Sequence, residues 1–187
     1  MFFIFLTDLK EALSVNAFKG GVNFWFKGGF TKNLSVINIF MALFLSTHSN
    51  KMDKKYRVSI PSQFRNILAN NSVVVYKSII NNCIECCSIE RLESIYAMIE
   101  KLDPLSEEYD YLTTAILGGS TQLLFDKEEG RVVMPKNLIQ DTQIDENIIF
   151  VGKGHTFEMW NPDLFDEYFK KSREVSLKNR NVLKFAS

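Results

Sequence analysis

The feature that most constrains this chain is an internal repeat. Arg57-Val58-Ser59-Ile60-Pro61 recurs 74 residues later as Arg131-Val132-Val133-Met134-Pro135, and each copy follows a charge-rich turn that opens on an aspartate, Asp53 or Asp126. A duplication fixes architecture before any local element does, because units that cannot bury an apolar face alone must share a core. Each copy reads as a turn, a short β-prone strand led by Arg, then a Pro that opens a short helix. Phe64, Ile67 and Leu68 stand three and four residues apart, which is one apolar helical face.

Further strands are predicted at Val73 to Tyr76 and Cys83 to Ile89 in the first half, and at Ile148 to Val151 and Thr156 to Trp160 in the second. Helices are predicted at Glu90 to Leu102, at Ser106 to Leu117 ending on Gly118-Gly119, and from Pro162 to Lys171 with Asn161 as cap. The expected organisation is an extension over 1–40, unit 1 over 47–91, a helical connector over 92–119, unit 2 over 120–163, and a C-terminal helix with a basic tail over 164–187.

Charge is balanced overall, at 22 basic and 22 acidic residues, but it is not evenly spread. Between 46 and 66, Lys51, Lys54, Lys55, Arg57 and Arg65 face the single acid Asp53, whereas the acids gather between Glu85 and Asp110. Such separation can steer a polyanion to one face at zero net charge. Cys83, Cys86 and Cys87 lack a second pair at zinc-ligand spacing, so they read as small apolar residues in a strand and no metal or other cofactor is expected. His48 and His155 read as loop or strand-end residues. No nucleophile stands beside a base and no Gly-rich phosphate loop is present, which argues against an enzyme.

The first forty residues hold an unusual share of the phenylalanines, without a sustained period of two or 3.6. The run Met1 to Leu6 is far too short to span a bilayer and has no basic start. Residues 1–40 are therefore expected to lie upstream of the true start near Met41, or to be loosely attached.

The paired Asp-x-x-x-Arg elements, each Arg four residues ahead of Pro, the Leu117-Gly118-Gly119 connector and the segment Val151 to Trp160 together resemble the MraZ family over about residues 43 to 170. The resemblance implies an α+β fold: a duplicated, swapped-hairpin AbrB-like β-barrel with flanking helices. It further implies a cytoplasmic, nucleoid-associated regulator that assembles into a homo-oligomeric ring. Such proteins bind direct repeats in double-stranded promoter DNA and repress their own division and cell-wall gene cluster. An AbrB-type antitoxin is the alternative; one copy per chain is usual there, which the duplication disfavours.

The implied DNA-binding residues are Asp53, Lys54, Lys55, Arg57, Lys127 and Arg131. Arg on a β-turn and strand can read guanine, Lys54 and Lys55 suit phosphates, and Asp53 would orient Arg57. Spacing alone fits equally well a surface Asp53–Arg57 ion pair worth about 0–1 kcal/mol; the repeat and the resemblance favour DNA. Two departures from the family pattern stand out. Tyr56 replaces the usual Gly before Arg57, which predicts a first turn of different shape. The second turn is one residue longer and carries Glu128-Glu129, so the first copy is expected to supply most of the DNA contacts.

Overall fold

The computed structural model describes residues 13–18, 21–26, 31–32, 43–126 and 128–182, and the chain divides at Ala42 into two units. In the first unit, β1 (Leu13–Phe18), β2 (Gly21–Phe26) and β3 (Thr31–Lys32) form an antiparallel sheet in that order. The absence of a clean period there did not predict strands; the remainder of the expected extension lies outside the described residues.

The second unit begins its strands with β4 (Thr47–Lys51) and β5 (Arg57–Ser59), followed by the short helix α1 (Ser62–Arg65). Then come β6 (Ser72–Lys77), β7 (Ile84–Cys87), α2 (Ile89–Ile99) and α3 (Glu107–Leu112). The second repeat supplies β8 (Thr121–Leu124), β9 (Arg131–Val133), α4 (Lys136–Asp141), β10 (Asn147–Gly152), β11 (Phe157–Trp160) and α5 (Pro162–Lys178). Helices α2, α3 and α5 start where the sequence supplies side-chain caps, while α1 and α4 follow Pro61 and Pro135 without one. Ser88 Oγ accepts from the Arg91 N–H and Ser106 Oγ from the Tyr109 N–H, while Asn161 Oδ1 accepts from Asp163 and Leu164 ahead of Pro162.

The repeats are paired crosswise. The first strand of each repeat bonds to the third strand of the other, β4 to β10 and β8 to β6, in an antiparallel sheet of order β4-β10-β11-β7-β6-β8. At its centre β7 meets β11 with Glu85 directly across from Glu158. The remaining strands form a separate antiparallel ribbon, β5 with β9, centred on the pair Val58 and Val132. Both ladders are symmetric under exchange of the repeats: Arg57 faces Val133 as Arg131 faces Ser59.

The expected closed barrel is thus an open six-stranded sheet with a two-stranded ribbon beside it. The ribbon lies along both sheet edges, β5 next to β4 and β9 next to β8. Its inward residues, Val58 and Val132, are buried in the main core with Phe64, Ile148, Phe150 and Phe157, so the ribbon covers one face of the sheet. The opposite face is covered by helices. Val74, Tyr76 and Cys87 pack with α2 and the connector, and Trp160, Ile149 and Val151 pack with α5.

Several elements differ from the sequence reading. The connector helix is α only to Leu112 and then widens into a π-helical turn over Thr113–Gly118, and α5 runs about two turns beyond Lys171. His48 is the second residue of β4, its ring edge-on to Phe64 at 5.2 Å. All three cysteines are buried, and burial raises each thiol, Cys87 to about 12, which leaves them protonated core residues. No described helix is long and apolar enough to cross a membrane.

Phe64 ties the repeats together. It comes from the helix of the first repeat, is fully buried, and meets Phe44 at 5.4 Å and Phe157 of the second repeat at 4.9 Å. Phe64→Ala is therefore expected to destabilise the folded chain by about 3–5 kcal/mol. Denaturant unfolding at constant m-value measures it, and a loss below about 1 kcal/mol contradicts this packing role.

Candidate nucleic-acid interface

The ribbon presents its alternate side chains outward. Val58 and Val132 point to the core, so period two leaves Arg57, Ser59, Arg131 and Val133 on the outer face. Arg57 and Arg131 line one shallow groove of about 380 Å³ with Asn50, Lys51, Asp53, Ser59 and Glu146. The repeat thus brings its two lead arginines to one surface.

The first turn is organised by the Asp53 carboxylate. Its Oδ1 accepts the backbone N–H groups of Lys55 (2.8 Å) and Arg57 (3.0 Å), and its Oδ2 takes the Arg57 guanidinium through Nε and Nη2, both at 2.7 Å. The backbone N–H of Arg57, then its side chain and the Lys55 N–H, hold the Asp53 carboxyl below its ordinary 3.8 against the opposing effect of desolvation. Two-point contact fixes the plane of the guanidinium rather than only its charge. Lys54 and Lys55 are exposed on the same turn.

Tyr56 takes the left-handed backbone angle of its glycine counterpart. Its φ is 59° and that of Gly130 is 64°, so both copies place a left-handed residue just before Arg. Tyr56 accepts that strain, of order 1–2 kcal/mol, while its ring packs against the main core. The copies differ instead in what holds the arginine. In the longer second turn Asp126 is used up by backbone, accepting the N–H groups of Glu129, Gly130 and Arg131, of which the Glu129 contact does most to lower its carboxyl. The Arg131 guanidinium pairs with Glu129 instead, Nη1 to Oε2 at 2.9 Å. Lys127 lies outside the described residues.

Sequence reasoning missed three neighbours of this surface. Asn50 donates from Nδ2 to the Ser59 carbonyl at 2.7 Å and so fastens the ribbon to the sheet edge; it lies in β4, a strand the sequence reading did not delimit. Arg65 donates from Nη1 to the Glu128 carbonyl at 2.9 Å, bracing the second turn from the first repeat's helix. Val133 is 59% exposed; in a run of Val, Val and Met it reads as core unless the alternation set by Arg131 is followed outward. The acids of α2 and α3 stand behind the sheet, on the face away from the ribbon, since α2 packs on Val74, Tyr76 and Cys87.

Arg65 also explains why the second copy keeps its glycine. A Cβ at Gly130 would collide with Arg65 Cδ and lie 2.6 Å from Nε. Gly130→Ala is expected to lower stability by about 2 kcal/mol, combining left-handed strain with overpacking. Adding Arg65→Ala should recover only the steric part; strictly additive losses in a double-mutant cycle refute the clash. The Asp53 contact should persist from pH 8 down to 5. Its stabilisation is present above 3.8 and is lost as pH falls through the lower folded value, readable from the Asp53 carboxyl shift by NMR.

A family model described as "MraZ protein, putative antitoxin-like" matches residues 43–108 and 116–183, one segment for each repeat. The chain is 44% identical over 150 residues to the transcriptional regulator MraZ of Rickettsia canadensis, covering 79% of this chain and all of the relative. The corresponding proteins of Rickettsia akari and Rickettsia bellii are each 43% identical over 79% of this chain, covering 100% and 98% of their own lengths. These relatives are named as regulators and not as enzymes. With both repeats matched and the relatives covered end to end, the chain belongs to the MraZ family.

Proposed function

We propose that this chain is a transcription regulator that binds double-stranded DNA through the outer face of the β5–β9 ribbon. The observation that carries the reading is the convergence of Arg57 and Arg131, the lead residues of two repeats, on one groove of one ribbon. A two-stranded β-ribbon fits the major groove, where an arginine fork pairs with guanine O6 and N7 for about 1–3 kcal/mol of discrimination. Arg57 is the principal reader because Asp53 fixes its plane; Arg131 is the secondary one, since Glu129 competes for it. Lys54 and Lys55 contact phosphates, which adds affinity without sequence information.

On this reading the units over 47–91 and 120–163 build one DNA-binding body, and the targets are direct repeats in the promoter of its own division and cell-wall gene cluster, which it represses in the nucleoid. Few cations per chain bind weakly at physiological salt, so a ring of copies meeting several repeats supplies the affinity by effective concentration. Helices behind the sheet, with their acids turned from the DNA, are the surfaces for that assembly. The antitoxin alternative is disfavoured by the presence of both repeats in one chain.

A gel-shift titration with the DNA upstream of this gene tests the reading at stated salt. Arg57→Ala is expected to weaken specific binding by about tenfold or more, and Arg131→Ala by less. The double variant should bind only non-specifically. Lys54→Ala and Lys55→Ala should weaken all sequences alike and each reduce the salt slope by about 0.9. Undiminished specific binding by the double arginine variant would falsify the proposal.

A further inference from the structure

The two halves of the ribbon face are unlike. Symmetry of the ladder pairs Arg131 with Ser59 and Arg57 with Val133. The outer sheet edges follow suit: Lys51 opens the β4 ladder across from Asn147, and Leu124 opens the β8 ladder across from Ser72. Both arginines share the polar groove, but their cross-strand partners differ: Arg131 faces the hydroxyl of Ser59, whereas Arg57 faces the aliphatic Val133, 59% exposed, with Leu124 at 75% exposure on the neighbouring β8 edge. Val133 contributes nothing to the core, which its neighbour Val132 fills from the opposite face.

An exposed aliphatic directly across from a held arginine has one complementary feature on a base edge. In the major groove the one apolar group that projects from a base edge is the C5-methyl of thymine, where cytosine offers only a hydrogen. Residues facing one another across an antiparallel pair hold their Cβ atoms about 4.5–5.5 Å apart, and successive bases along one strand are about 3.4 Å apart. With the Arg57 fork on a guanine, Val133 stands over the neighbouring base step. We infer that Val133 is a specificity-determining residue that recognises the thymine C5-methyl next to the guanine read by Arg57. Ser59, its counterpart beside Arg131, has a hydroxyl that accepts either kind of base edge. The chain consequently docks on DNA in one orientation, with its methyl-reading half fixed, although its fold is nearly two-fold symmetric.

This inference rests on the DNA-binding reading, and one experiment separates the two. The full-length protein selects a duplex from a random-sequence pool, and that duplex is resynthesised with deoxyuridine in place of each thymine in turn, which deletes single methyl groups. Wild type is expected to lose about fourfold in affinity at one position and little elsewhere. Val133→Ser should bind the thymine duplex as wild type binds that deoxyuridine duplex, with no further loss on substitution. Val133→Thr, which keeps the β-branched shape and one methyl, should fall between them; matching melting temperatures show that both variants fold. If Val133→Ser retains the full deoxyuridine penalty, or changes the assembly mass while leaving it untouched, the assignment of Val133 is overturned and the patch covers another copy of the chain or nothing. If Arg57→Ala and Arg131→Ala bind the selected duplex as wild type does, the underlying DNA reading fails instead.

Discussion

The register of the β5–β9 ribbon is the constraint on which the functional surface depends. Val58 opposite Val132 puts two branched hydrocarbons into the core and, by period two, turns both lead arginines outward. A slip of one residue would bury Arg57 and Arg131 and expose the valines, a change the core cannot accommodate. Register is held from both ends, by the Ile60 N–H to the Gly130 carbonyl and the Met134 N–H to the Tyr56 carbonyl, each at 2.9 Å. The left-handed residues thus close the ribbon as well as lead into Arg, which accounts for a Tyr tolerating φ of 59°.

Around this fixed ribbon the two repeats have diverged at their turns, by one residue of length and in polar chemistry. An aspartate opens each turn and accepts backbone N–H groups in both, but Asp53 also holds the guanidinium of Arg57, whereas in the longer second turn the Arg131 guanidinium goes to Glu129. The same unequal treatment appears on the other side of the sheet. Glu85 and Glu158 face one another at the centre, but it is Glu158 that takes the direct bonds of a cation and an indole, Lys153 Nζ at 2.9 Å and Trp160 Nε1 at 2.8 Å, while Lys153 acts on Glu85 through its charge. Burial and the neighbouring Glu158 push the Glu85 carboxyl upward. Burial works to lower Lys153, but the bond and charge of Glu158 outweigh it and raise the ammonium.

Much of this was legible in the amino-acid order. The Arg-to-Pro spacing located both ribbon strands and both short helices, and Asn161-Pro162 located the start of α5, because caps and prolines act locally. Cys86 and Cys87 were readable as strand core because no second pair stands at zinc-ligand spacing. What failed depends on partners distant in sequence. β4 and β8 have no apolar alternation of their own and exist because β10 and β6 pair with them. The closed barrel suggested by family likeness resolves into sheet and ribbon, a matter of which edge carbonyls are bonded. Val133 was hidden because hydrophobicity signals burial, and only the partner strand shows that it faces out.

Crossed pairing has a consequence for how the protein is made. The partner of Lys51 is Asn147 and that of Thr47 is Val151, so the first strand of the repeat body waits on the ribosome for roughly a hundred further residues, about 5–20 s of synthesis. β6 and β7 can form a hairpin in that interval, while β4 and the Phe64 face remain uncovered. All four pairings between the repeats join residues distant in sequence, which places folding toward the slower, topology-limited regime. During that wait the nascent first repeat is a single half of a pair, open to the same half on a neighbouring nascent chain.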